Sequence, residues 1–395
     1  MRRVLAALGV SALVASGMAT TAAAAHAKPD AQKLHAHRAC ASPSAGRVAC
    51  QAQVLVDSAG VVPKSSVPPS SGRTPTDIRS AYNLASASSG GRTVAIVDAY
   101  GYPNLERDLA TYRSYFGLPA CTSASGCLRV IDESGGSSLP RFNTGWAGEQ
   151  ALDVDAVSAA CPDCKIVVVQ ARSTSFADLG TAVQTAAKQA GVVAISNSYG
   201  GSDAADSTYG AYYDHPGIAV TASTGDNGYT GASYPASSSY VTAVGGTSLV
   251  QASNARGWSE AAWSGAGSGC SSYNAALSAA SSFGTGCAKR AMADVSAAAD
   301  PNNGGLAVYW PTNPNTSTWA QVGGTSESSP LIASVYALSG NTAGAANAIP
   351  YANASSLNDV TSGSNGSCPT TQWCNARSGW DGPTGLGTPN GTGGF

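Results

Sequence analysis

Charge and histidine are scarce in this chain. Only 11% of its 395 residues are charged, and 21 Lys and Arg against 23 Asp and Glu leave a formal net charge of −2. There is no basic surplus to hold a polyanion, which excludes nucleic acid and anionic membrane surfaces as partners. The histidines are His26, His35, His37 and His215, so a single imidazole stands beyond residue 37. That argues against a histidine-rich zinc site and leaves almost no choice of imidazole base. One apolar run opens the chain, at residues 4–19, and it is short for spanning a bilayer. No other long run exists, so the mature protein is expected to be soluble, with no membrane partner.

What is present at the start has a recognisable order. MRR precedes the apolar run, and TTAAAA follows it up to Ala25. A basic beginning, a short apolar stretch and small residues at the end read as a secretory signal peptide over residues 1–25, and hence as a secreted protein. All ten cysteines follow it, as Cys40/Cys50, Cys121/Cys127, Cys161/Cys164, Cys270/Cys287 and Cys368/Cys374. An even count in an exported chain implies disulfides, and nearest-neighbour pairing would staple five small loops, although spacing leaves other connectivities open. Cys161-Pro-Asp-Cys164 also has the spacing of a redox pair or half a zinc site. No second CxxC and no suitably spaced histidine accompanies it, which favours a structural staple.

Residues 26–74 are rich in Pro, Ser and Ala and read as a short propeptide or N-terminal arm rather than a packed domain. The texture changes at Thr74, and residues 75–395 read as one domain. Continuous apolar runs at Thr93–Asp98, Lys165–Ala171, Val192–Ser198 and Ile218–Ser223 have the length and β-branching of buried parallel strands. Helical patterns occupy Gly148–Ala160 and Phe176–Ala190 between them, and Ser326–Leu338 in the Gly- and Ser-rich second half. Strand and helix in alternation predict a doubly wound α/β fold, with a mostly parallel sheet and helices on both faces.

Gln321–Pro330 reads QVGGTSESSP. Its two glycines permit a tight turn and close approach of a substrate, and Ser326 would open a helix whose N–H groups favour developing negative charge. A serine in this place is otherwise a preferred helix cap. A nucleophilic serine requires a base, and with His215 in a connecting loop the candidates are carboxylates. Glu149 and Asp153 stand four residues apart on one predicted helical face, amid apolar residues and with no Lys or Arg between Arg141 and Lys165. Two poorly solvated carboxyls cannot both ionise cheaply, so one proton is shared between them, which suits acid–base chemistry at acidic pH. Asp155 points to another face.

These segments, taken in order, resemble the sedolisin (serine-carboxyl peptidase) family, acid-acting relatives of the subtilisin fold. The resemblance spans residues 75–395. It rests on TPTDIRSAYNL, EQALDVDAVSAACPDCKIVV, SNSYGG, STGDNG, ADVSAAADP, GGTSESSP and GWDGPTGLGTP. It implies Ser326 as nucleophile, Glu149 as general base and acid, and Asp153 as the residue that orients Glu149. Asp226, in Ser223-Thr-Gly-Asp-Asn-Gly, would be the protonated oxyanion donor, although a Gly-Asp-Asn-Gly stretch alone reads as a turn. The family also implies one structural calcium ion, held by Asp359 and Asp381 side chains and the carbonyls of Val360, Arg377 and Gly379. Its substrates would be proteins or peptides, and the enzyme a monomer.

The chain departs from the family pattern in places. The usual folded prodomain of well over a hundred residues has no counterpart here, which puts the usual activation route in question. Asp98 stands where sedolisins carry a glutamate, Tyr199 where they often carry tryptophan, and Arg377 where they often carry glycine. Two other readings follow. One is a secreted sedolisin-like binding protein without turnover. The other is a conventional hydrolase built on Asp98 and His215.

Overall fold

The computed structural model describes Met1 and residues 33–342 and 344–395, so apart from Met1 the expected signal peptide lies outside the described residues. The chain divides between Lys33 and Leu34, and the fold belongs to the second unit, Leu34–Phe395. Its centre is β4 (Thr93–Ala99), buried along its whole length. Around it stand the parallel strands β5 (Leu128–Asp132), β6 (Lys165–Ala171), β7 (Val192–Asn197) and β9 (Ala219–Ser223). The long strand β11 (Thr242–Gln251) is also parallel, and β12 (Trp258–Ala262) closes one edge antiparallel. The order is β12-β11-β9-β7-β4-β6-β5, with β15 (Val295–Ala298) alongside β11. This is the doubly wound, mostly parallel sheet anticipated from the apolar runs.

Alternation along the strands supplies both faces of the core. Val94 and Ile96 pack with α3 (Thr144–Ala160) and α6 (Thr325–Ser339), whereas Ala95 and Val97 pack with α4 (Phe176–Ala187). Each valine or isoleucine among them contributes about 1.5–3 kcal/mol when fully buried. Shorter helices are α1 (Pro75–Ala81) and α2 (Leu105–Tyr115), which pack on α3, and α5 (Asp206–Tyr209). Helix α3 begins four residues earlier than its apolar pattern suggests, because Asn143 caps it by accepting from the Trp146 N–H. The stretch beyond residue 225 is less loop-like than its composition suggests. It contains β11, a two-residue ladder of β13 (Gly269–Cys270) with β14 (Ala291–Met292), and the hairpin β16 (Leu306–Asn313) with β17 (Thr316–Gly323). Packed between the sheet, α6 and β16, helix α3 is buried on every side from Trp146 onward.

All five cysteine pairs are bonded to their sequence neighbours, and no free cysteine remains among the described residues. The N-terminal segment departs most from expectation. The compact unit begins at Leu34 rather than near residue 75. Strands β1 (His35–Arg38) and β3 (Gln53–Val56) join β17 and β16 in a second sheet, and β2 (Ala49–Cys50) pairs with β8 (Tyr199–Ser202), which also pairs with β10 (Ser233–Tyr234). Ala52, Val54 and Val56 enter the main core. Composition concealed this because the strands are only two to four residues long. No helix among the described residues is long and apolar enough to cross a membrane.

Close packing of α3 on β16 is tight at Gly148, where an added Cβ would lie 2.3 Å from the Trp310 ring. Gly148→Val should therefore lower stability by about 1–3 kcal/mol through overpacking, read as a shift of the urea unfolding midpoint. An unchanged midpoint would mean that the indole yields without cost.

Candidate active site

Loops at the carboxyl ends of parallel strands are where an α/β sheet leaves room for a site. Here β4 carries Asp98 one residue before its end, β7 leads into Ser198, and the loop after β9 carries Asp226. Helix α3 brings Glu149 and Asp153 across the same end, and α6 starts there with Thr325 and Ser326. Asp98, Glu149, Asp153 and Ser326 are all fully buried, and Asp226 nearly so. The structure thus gathers the predicted serine and carboxyls in one place. Asp155 stays apart, accepting from the Tyr309 N–H at 3.1 Å.

Asp98, Glu149 and Asp153 form no ion pair among the described residues. Burial, followed by the Asp98 charge, raises the Glu149 pKa well above the usual range, opposed in part by the Ser326 hydroxyl and the Ala52 N–H. Burial, then Asp98 and Glu149, raise Asp153 likewise. Burial raises Asp98 itself. Both oxygens of Asp98, Oε1 of Glu149 and Oδ2 of Asp153 have no donor among the described residues. A buried carboxyl without donors is far less costly neutral than ionised, so such surroundings favour retained protons.

Ser198 ties the cluster to the serine. Its Oγ lies 2.8 Å from Asp153 Oδ1 and 3.3 Å from the Ser326 carbonyl oxygen. That carbonyl needs an outside donor because Pro330, four residues on, has no N–H to give it. A protonated Asp153 can donate to Ser198, which then donates to the Ser326 carbonyl. The Ser326 hydroxyl itself donates to the Ser198 carbonyl at 3.3 Å. Gly324 precedes the helix at φ +100°, a conformation that favours glycine.

Asp226 is fixed by Thr325. Its Oδ1 accepts from the Thr325 N–H at 2.8 Å and hydroxyl at 2.9 Å, and its Oδ2 accepts from Gln53 Nε2 at 3.2 Å. Burial pushes its pKa up to about 7 despite these bonds and the nearby Arg38 charge. His215 plays no part in this site. Its Nε2 pairs with the Tyr212 carbonyl at 3.0 Å, and it lines a separate cavity with Ile218, Tyr240 and Asn347. Asp98 has no hydrogen-bond partner, so the Asp98–His215 reading has no geometric basis.

At the far C-terminal loop, Asp359 Oδ2 accepts from the Gly379 N–H at 3.0 Å and Asp381 Oδ2 from the Arg377 N–H at 3.0 Å. Asp381 is fully buried, and its pKa is raised to about 7, first by burial and also by the Asp359 charge. The Arg377 guanidinium bonds Gln372 Oε1 and so is not aimed at these carboxyls. The two acids sense each other's charge, as hard oxygen ligands drawn together would, and the Oδ2 of each is held by a backbone N–H group. Among the described residues no cluster of three or more His, Cys, Asp or Glu exists, so a hard cation here would rely on carbonyls.

Sequence reasoning missed Ser198, Thr325 and the segment Gln51–Gln53. Ser198 lay within the SNSYGG segment without an assigned role. The only signals for Gln51–Gln53 were the Cys40/Cys50 ring and the short apolar QVLV run.

Comparison with known proteins gives the family of the chain. The subtilase family model matches residues 143–363. Kumamolisin of Bacillus sp. (strain MN-32) is 30% identical over 362 residues, covering 80% of this chain and 62% of that protein. The chain thus spans less than two thirds of that relative. Aorsin of Aspergillus oryzae is 38% identical over 97 residues, 22% of this chain and 14% of that protein. Among solved structures, Pseudomonas sedolisin, a serine-carboxyl proteinase, superposes with a TM-score of 0.67 at 26% identity, covering 82% of this chain and 96% of that one.

The raised carboxyl pKa values set a sign for stability. Where a folded-state pKa exceeds the unfolded one, the folded chain holds more protons, so stability present at low pH is lost as pH rises through the folded value. In a Ser326→Ala background, Asp98→Asn should flatten the fall in Tm between about pH 4 and pH 7. Thermal unfolding across that range decides it; an equal or steeper fall would show that Asp98 does not hold a proton in the folded state.

Proposed function

The chain belongs to the subtilase family and is a homologue of kumamolisin and Pseudomonas sedolisin, and on that premise we propose that it is a secreted serine-carboxyl endopeptidase acting on proteins or peptides at acidic pH. The observation that carries this reading is the meeting of Ser326 with the buried carboxyls Asp98, Glu149 and Asp153, which among the described residues have neither an ion-pair partner nor a histidine hydrogen-bonded to them.

In this reading Ser326 Oγ attacks the carbonyl carbon of the scissile bond and its proton passes to Glu149. Asp153, steadied by Ser198, orients Glu149 and shares its proton. Asp226 serves as a protonated carboxyl that donates to the oxyanion, a role in which a hydrogen bond strengthens as charge develops. Glu149 then gives its proton to the leaving nitrogen, the C–N bond breaks, and water releases the acyl group from Ser326. Asp226 must keep its proton, and Glu149 must be able to lose its own. Activity therefore falls as pH rises through the value near 7 to which Asp226 is displaced. A single polypeptide supplies every group, consistent with a monomer. One calcium ion held by Asp359, Asp381 and the carbonyls of Val360, Arg377 and Gly379 would offset two acidic charges and brace the C-terminal loop.

Cleavage of a denatured protein from pH 3 to 8 tests the chemistry. Wild type should be most active in acid, with Ser326→Ala and Glu149→Gln each losing about a thousandfold or more and His215→Ala near normal. Folded, disulfide-bonded wild type with no activity at any pH would favour the binding-protein reading. For the cation, chelator should lower the Tm of wild type and calcium restore it, while Asp381→Asn abolishes that response; a Tm indifferent to both reagents would remove calcium from the account.

A further inference from the structure

Glu327 has no part in the reaction above, although it follows Ser326 directly in the first turn of α6. It is at 0% exposure, and neither of its oxygens has a hydrogen-bond partner among the described residues. Successive helical residues point about 100° apart. While the Ser326 hydroxyl lies by the Ser198 carbonyl and Glu149, Glu327 lies towards the start of β16 and the stretch before α1. Burial raises its pKa well above the usual range. The Leu306 N–H and the Arg73 charge oppose that rise without making a hydrogen bond to it, and the Asp300 charge adds to it. The phenols of Tyr82 and Tyr112 also sense its charge. Asp300 is already engaged by Ser248, Asn302 and Asn303, and Tyr82 by the Ala298 N–H and Glu260. Arg73 has a donor to spare. Its Nη2 donates to the Leu249 carbonyl at 2.9 Å, but its buried Nε has no acceptor among the described residues.

An apolar side chain of similar size would fill this place at lower cost, so a buried acid without a partner calls for a reason. Its position supplies a mechanical one. The Glu327 N–H donates to the Gly324 carbonyl at 2.9 Å, and the Gly324 N–H to the Ala299 carbonyl at 2.6 Å, so the residues flanking Ser326 belong to one tight turn. We propose that Glu327 is a positioning residue for the nucleophile: as the neutral acid it lets this turn sit against β16, and once ionised it draws the turn towards Arg73 and carries Ser326 out of line with Glu149. This rests on the serine-carboxyl reading above. The positive end of α6 favours the anion, but by less than burial without a partner opposes it. On ionisation the proton passes to solvent water and the carboxylate gains the Arg73 Nε–H as donor. Ser326 moves with it because adjacent residues of one helical turn cannot shift independently. The loss is therefore one of turnover and not of substrate binding.

The test measures kcat and KM for a peptide substrate from pH 3 to 8 in wild type, Glu327→Gln and Arg73→Gln. Glutamine has the shape of the neutral acid and cannot ionise. Near pH 4 the kcat of Glu327→Gln should stay within about threefold of wild type. Its high-pH limb should be less steep by about tenfold per pH unit, because one proton fewer must be retained. Arg73→Gln keeps a donor for the Leu249 carbonyl but removes the cation, and it should move the limb to higher pH. KM should stay within about twofold throughout. In a Ser326→Ala background, Glu327→Gln should also flatten the fall of Tm with rising pH, since a raised folded-state pKa makes stability drain away as pH climbs through it. Limbs of equal steepness in wild type and Glu327→Gln, or a kcat lowered by one factor at every pH, would show a purely structural residue and overturn the proposal while leaving the peptidase reading standing. An unmoved limb in Arg73→Gln overturns the pairing on which the proposal depends. If wild type cuts nothing at any pH, the peptidase reading falls and the positioning role falls with it.

Discussion

The structure depends on keeping carboxyl groups out of water without giving them a cation. Asp98, Glu149 and Asp153 lie where the sheet, α3 and α6 meet, at 0% exposure. Transfer of an isolated carboxylate into such a place is far costlier than holding it as the neutral acid. Protons therefore become part of the packing, and they are the groups that a carboxyl-based mechanism needs to move. The same cost explains why α3 is apolar around its acids. A solvated helix would return both carboxyls to their ordinary range and leave nothing to share.

The serine end of the site follows a related logic. Pro330 deprives α6 of one internal hydrogen bond, and Ser198 supplies a donor to the carbonyl left over. The cost of an imperfect helix is thereby turned into a physical link between the backbone of Ser326 and the buried carboxyl of Asp153. Gly324, at a positive φ and without a side chain, leaves space beside Ser326 that a peptide carbonyl fills. In this molecule the carbonyl is its own.

The strand runs Thr93–Asp98 and Lys165–Ala171 were legible because a strand buried on both faces is apolar throughout, and no other common element of that length looks the same. Glu149 with Asp153 was legible because a helical spacing of four puts both acids on one face wherever the helix is placed. The disulfides were legible as a framework because sequence neighbours could reach one another without long-range knowledge. The hairpin β16–β17 and the short strands β1 to β3 were not. Their sides are covered by distant segments, so no local alternation announces them.

Residue order alone therefore determined the sheet class, the spacing of Glu149 and Asp153 and the presence of a single histidine beyond residue 37. Those are properties of composition, of periodicity and of one matching succession of motifs. Tertiary structure alone decided which acids lose their solvent, that Ser198 joins Asp153 to Ser326, and that Gln51 and Ala52 lie across the site. Burial and close approach are produced by segments more than a hundred residues apart, such as Ser198 and Ser326. No window along the chain contains both sides of such a contact, and the dielectric environment that displaces a pKa exists only after those sides have packed.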